Sequence, residues 1–103
     1  MTSESQIQRD IRDYLGTRDD LMIWRNNCGM IQNKGGGWVR FGLAIGSADL
    51  IGITSAGRFV AIECKAERGK LSADQERWLK LVETMGGLVI VARSVEDVKK
   101  CLP

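Results

Sequence analysis

Three side chains of this 103-residue chain, Asp49, Glu63 and Lys65, have types and spacing that suit hydrolytic chemistry. Residues 49–53 (Asp-Leu-Ile-Gly-Ile) and 58–65 (Arg-Phe-Val-Ala-Ile-Glu-Cys-Lys) read as β-strands. Residues 54–57 (Thr-Ser-Ala-Gly) separate them and read as a hairpin connection. A three-residue hairpin loop commonly sets a type I turn before a glycine in the left-handed conformation, and Ser55-Ala56-Gly57 has its glycine in that place. Thr54 then faces Arg58. Counting outward, Ile53 opposes Phe59, Ile51 opposes Ala61, and Asp49 opposes Glu63.

Opposed side chains on one sheet face have Cβ atoms about 4.5–5.5 Å apart, where like charges repel. Strand alternation puts Lys65 on the face of Glu63 and sends Val60, Ile62 and Cys64 to the other side. A hard divalent cation between Asp49 and Glu63 would neutralise both acids, with the Cys64 backbone carbonyl as a further oxygen ligand and the Cys64 sulfur facing away. The competing reading is structural. In it Asp49 opens a strand after Gly46-Ser47, and Glu63 with Lys65 is an ordinary ion pair near a strand end.

The elements that must position these residues follow from the flanking sequence. Ser3 and Gln6 have capping-box spacing, and Ile7, Ile11, Tyr14 and Leu15 form one apolar stripe of a first helix that ends at Gly16. Leu21–Arg25 suits a short strand, residues 26–37 form a polar, glycine-rich segment, and Trp38–Phe41 suits another short strand. Ser72 and Gln75 repeat the capping-box spacing. They start a helix whose apolar residues are Trp78, Leu79, Val82 and Met85, stopped by Gly86-Gly87. Residues 88–92 (Leu-Val-Ile-Val-Ala) are apolar on both faces, which places the strand inside a sheet covered on both sides, reached by a crossover through that helix. Ser94 caps a last helix turning Val95, Val98, Cys101 and Leu102 inward. The fold class is α/β, in the order αβββαβα, or αβ(β)ββαβα when Trp38–Phe41 is counted as a strand, over one domain spanning residues 1–103.

On the second helix Gln75 lies about 20° from Val82 and about 60° from Trp78, so it faces inward; its capping-box role alone would also explain it. Glu4 falls about 20° from Ile11, an unusual place for an acid unless the helix start overhangs a site. The alternative is a favourable acid at the positive end of the helix dipole.

Composition narrows the chemistry further. The chain has no histidine, and Cys28, Cys64 and Cys101 form no C-x-x-C pair, so zinc is not expected and nucleophile–histidine pairs are excluded. The cysteines read as reduced core residues in a cytoplasmic protein. No long apolar run or leader pattern is present, so no membrane association is expected. Residues 25–70 hold seven basic and three acidic groups, against a balanced or acidic remainder, which points to a polyanion. Lys34, Arg40, Arg68 and Lys70 are the candidates for phosphate contacts, and the 26–37 segment offers donors and flexible glycines for wrapping DNA.

Gly46-Ser47-Ala48-Asp49-Leu50-Ile51-Gly52, then Glu63-Cys64-Lys65, then Gly69-Lys70-Leu71-Ser72 with Gln75 and Trp78, closely resemble the VRR-NUC (virus-type replication-repair nuclease) branch of the PD-(D/E)xK endonucleases. The resemblance covers essentially the whole chain. It implies a restriction-endonuclease-like mixed β-sheet flanked by helices, and Mg²⁺- or Mn²⁺-dependent hydrolysis of DNA phosphodiesters to 5′-phosphate and 3′-hydroxyl products. Asp49 and Glu63 would hold the metal, Lys65 would orient or activate water, Gln75 would support the site, and Glu4 matches an acidic residue of the family's first helix. Two positions depart from the family pattern. Ala48 stands where proline is usual, which is expected to loosen the strand there, and Cys64 stands where valine is common.

Stand-alone viral members of the family resemble enzymes that resolve four-way (Holliday) junctions, which implies a phage-type source and a bacterial or phage-infected cytoplasm. Cutting two strands symmetrically with one site per chain calls for a homodimer. The alternatives are a flap- or nick-type nuclease acting on other branched DNA, or a module that binds nucleic acid without cutting it.

Overall fold

The computed structural model describes residues 2–27, 29–41 and 45–103. The expectation for Cys28 lies outside them. The elements are α1 (Glu4–Leu15), β1 (Leu21–Arg25), β2 (Gly29–Gln32), β3 (Trp38–Phe41), β4 (Leu50–Thr54), β5 (Phe59–Cys64), α2 (Ala73–Thr84), β6 (Leu88–Ala92) and α3 (Val95–Cys101). Four strands form a mixed sheet in the order β1-β4-β5-β6, and β2 and β3 form a separate ribbon. β4 runs antiparallel to both β1 and β5, while β6 joins β5 in parallel after the α2 crossover. This is a mixed α/β fold of the restriction-endonuclease type, with a mixed sheet flanked by three helices.

The period-two pattern of β5 divides the core. Val60, Ile62 and Cys64 pack with Leu50, Ile90 and Ala92 against Ile7, Ile11 and Leu15 of α1 and Val98 of α3. On the opposite face Ala61 packs with Ala48 and with Leu79, Trp78 and Val82 of α2. Each buried aliphatic side chain contributes about 1.5–3 kcal/mol, so the α1 side is the larger source of stability. All three serine caps form: Ser3, Ser72 and Ser94 accept from the N–H groups of Gln6, Gln75 and Asp97. Only α2 completes a reciprocal capping box. Gln6 instead turns its side chain to Asp10 and Arg9.

The hairpin register is the one the turn chemistry predicts. Ile53 pairs with Phe59 and Ile51 with Ala61, and Gly57 has φ +81°. Four expectations need correction. Residues 29–32, read as part of an unpaired segment, form β2. The Asn33 carboxamide oxygen accepts from the N–H groups of Gly35 and Gly37 and closes a hairpin onto β3. The second helix, read as running through Met85, stops at Thr84 with Met85 as its exposed cap, and the chain turns through Gly86 at φ +95°. Cys101 is exposed too, since α3 ends there and Leu102 takes the inward place. Finally, β6 has helices on both faces but lies at the sheet edge.

Candidate active site

β4 and β5 are paired through Leu50 and Ile62, so the next positions outward are Asp49 and Glu63. The Asp49 carboxylate accepts a 2.8 Å hydrogen bond from the Cys64 N–H, which joins the two strand ends. Glu63 is only 2% exposed. Its Oε1 accepts from the Gln75 side-chain amide at 3.1 Å, and Lys65 Nζ stands 3.9 Å from the same oxygen. Its Oε2 is buried and has no hydrogen-bond partner among the described residues. A buried carboxylate oxygen without a donor is costly, typically by about 1–3 kcal/mol or more, unless a ligand completes it.

Burial, followed by the nearby Asp49 carboxylate, pushes the Glu63 pKa up to about 8, against the weaker opposing pull of Lys65. The pair of acids therefore retains a proton well above the ordinary carboxylate range. Lys65 is itself buried, and its N–H donates to the Ala92 carbonyl, so the ladder with β6 continues one residue past β5 and holds the lysine backbone in place. Cys64 points to the α1 side. Burial, with Asp49, Glu63 and Glu4 adding smaller effects, raises its thiol to about 12 and makes it a core group rather than a nucleophile.

Gln75 makes both the capping contact and a contact to Glu63. Its Oε1 accepts from the Ser72 N–H in the capping box while its Nε2 donates to Glu63, so the start of α2 is tied to the acid. Gly46, at φ +80°, makes the close approach possible: a Cβ there would lie 2.4 Å from the Asp74 carbonyl oxygen. Asn26 is a positioning residue with no sequence signal beyond its polarity next to β1. Its N–H donates to the Asp49 carbonyl, and its side-chain amide donates to Ser47 Oγ and the Ala48 carbonyl. These three bonds hold the segment leading into Asp49, where loosening was expected from the absence of proline at Ala48.

The structure thus gathers Asp49, Glu63, Lys65 and Gln75. Glu4 is exposed at the start of α1, whose apolar side packs on the opposite sheet face, and its charge reaches Cys64, next to Glu63. Among the described residues no group of three or more His, Cys, Asp or Glu side chains converges, so the acids form a pair. Lys34 lies in the β2–β3 turn, Arg40 on β3, and Arg68 and Lys70 between β5 and α2; all four are exposed.

A mixed sheet flanked by helices, with acids facing across the ends of two adjacent strands and a lysine two residues on, defines a domain of the restriction-endonuclease type. A family model, the VRR-NUC domain, matches residues 2–96, and the chain belongs to that family. Membership makes it a member of a nuclease family with DNA as the substrate class. Searches of curated proteins and of solved structures found no match to the chain. No helix among the described residues is long and apolar enough to cross a membrane.

Proposed function

We propose that this chain is a divalent-cation-dependent endonuclease that hydrolyses phosphodiester bonds of branched DNA, resolving four-way junctions as a homodimer. The observation that carries the cation site is the buried, unpartnered Glu63 Oε2 beside the Asp49 carboxylate. Two acids with one oxygen left without a donor make a donor set suited to Mg²⁺ or Mn²⁺. Asp49, Glu63 and the Cys64 backbone carbonyl would hold the ion. When bound, it supplies positive charge that stabilises the phosphate and favours ionisation of water.

The chain's own residues do the rest. Asp49 and Glu63 fix the site at the ends of β4 and β5, and Gln75 holds Glu63 in one orientation from α2. Lys65 presents an ammonium group beside Glu63, where it orients the attacking water and shields charge growing on the phosphate. Glu4 is assigned a supporting part through its charge at the start of α1, tested by Glu4→Gln, which should slow cleavage without changing DNA affinity. Lys34, Arg40, Arg68 and Lys70 contact backbone phosphates. Two related sites, one per protomer, allow paired cuts.

The test is cleavage of labelled four-way, flap and linear DNA with Mg²⁺ or Mn²⁺, run beside Asp49→Ala. The expected result is metal-dependent cutting of the branched substrates, lost in Asp49→Ala with DNA binding kept. Binding without turnover in the wild-type chain would instead identify a non-catalytic module.

A further inference from the structure

The β2–β3 hairpin stands apart from the main sheet. Among the described residues it pairs only with itself, yet Met30 is 51% exposed, Ile31 57%, Trp38 64% and Val39 45%. A lone two-stranded hairpin is marginally stable in water, and apolar side chains uncovered on both of its faces indicate a partner. The register puts Trp38, Arg40, Met30 and Gln32 on one face and Ile31 with Val39 on the other. Lys34 sits at the turn.

Charge selects the occupant. Residues 21–48 contain Arg25, Lys34 and Arg40 and no acid at all. A second copy of the arm would bring the same positive charge, whereas DNA brings the opposite one. The position of the root selects the part of the DNA. The chain leaves β1 at Arg25 and passes Asn26, which is bonded to Asp49, Ala48 and Ser47, before entering β2; after β3 it returns to Gly46 and Ser47. The arm therefore springs from the acid that anchors the candidate active site. Strands of four residues carry it roughly 13 Å outward.

We propose that this hairpin reads the branch point of the DNA, with Trp38 stacked on a base that the branch leaves unstacked and Arg40 and Lys34 on the flanking phosphates. An exposed indole ring is a stacking platform for any base, and a base is available for stacking only where the duplex is interrupted. This rests on the DNA-nuclease reading and adds to it the feature of the substrate that is recognised.

The experiment compares four-way-junction DNA carrying 2-aminopurine at the branch with linear duplex of equal length. Binding is followed by anisotropy and base fluorescence in the full-length chain, in the Asp49→Ala background so that no DNA is cut. Trp38→Ala should lower the preference for junction over duplex about tenfold and abolish quenching of the branch base, while Trp38→Phe keeps most of both. An equal loss on both DNAs, or no loss, overturns the proposal. So does a fall from dimer to monomer by light scattering in Trp38→Ala, which would show that a second copy covers the arm. Wild-type cleavage is measured separately. A chain showing Trp38-dependent preference but no cutting refutes the nuclease reading alone, and a chain that cuts without the preference refutes the arm alone.

Discussion

Burial and the Asp49 carboxylate hold the Glu63 proton in the folded chain up to a pKa of about 8, whereas the unfolded chain releases it near 4.5. Between those values the folded state binds more protons than the unfolded one, so the stability contributed by protonated Glu63 is complete below pH 4.5 and is lost as pH rises through 8. Thermal melts of the cation-free protein should show the midpoint falling across that window, and Glu63→Gln should flatten the fall. An unchanged slope in Glu63→Gln would show that another group sets it. Mn²⁺ added at the alkaline end should raise the midpoint of the wild type and not of Asp49→Ala. Lys65→Ala should lower the single-turnover cleavage rate by about 10²–10³-fold while leaving DNA affinity near that of the wild type. A parallel drop in affinity would make the lysine a phosphate contact instead. Gln75→Ala removes both the reciprocal cap and the bond to Glu63, so it should cost about 1 kcal/mol of stability and also slow cleavage. Loss of stability with full activity would reduce Gln75 to its cap.

The segment leading into β4 and the first turn of α2 are the elements that bring the acids and Gln75 together, and they meet at Gly46. Gly46→Ala puts a methyl group against the Asp74 carbonyl in a left-handed backbone position. It should destabilise the fold by about 1–3 kcal/mol and depress cleavage, whereas Gly35→Ala, in the β2–β3 turn and near only the Asn33 side chain, should leave melting unchanged. Equal midpoints for the two variants would separate α2 from the site. Much of this was legible in the chain. A three-residue turn with glycine last fixes the β4–β5 register, and strict alternation along β5 sends Glu63 and Lys65 one way and Cys64 the other. What was not legible has physical reasons. β2 buries no face, so it carries no alternation signal, and it is held by an Asn33 turn recognisable only from Asn-Lys-Gly-Gly-Gly between Met30-Ile31 and Trp38-Val39. Asn26 acts through hydrogen bonds to residues more than twenty positions away, which no local pattern encodes. The edge position of β6 follows from pairing order, and apolar residues on both faces look the same at an edge covered by helices as at a centre. The helical wheel turned Glu4 inward, but the side chain is exposed at the start of α1, a position that depends on how the helix packs on the sheet face opposite Glu63.

At the scale of the molecule, the chain joins two unequal cores on the two faces of one sheet, with the acids at the ends of two neighbouring strands and a basic arm beside them. If resolution of junctions requires paired cuts, light scattering should give twice the 11.4 kDa of the single chain at micromolar concentration; a monomer that still makes paired cuts would contradict the dimer. DNA affinity should fall steeply with salt, as phosphate-dominated binding does. The proposed chemistry requires a cation between the two carboxylates, one of which has a buried oxygen lacking a donor among the described residues. The most direct measurement is anomalous diffraction from crystals soaked in Mn²⁺. A peak is expected between Asp49 and Oε2 of Glu63, absent in Asp49→Ala; metal-dependent DNA cleavage with no peak there, or with the peak elsewhere, would overturn the proposed site.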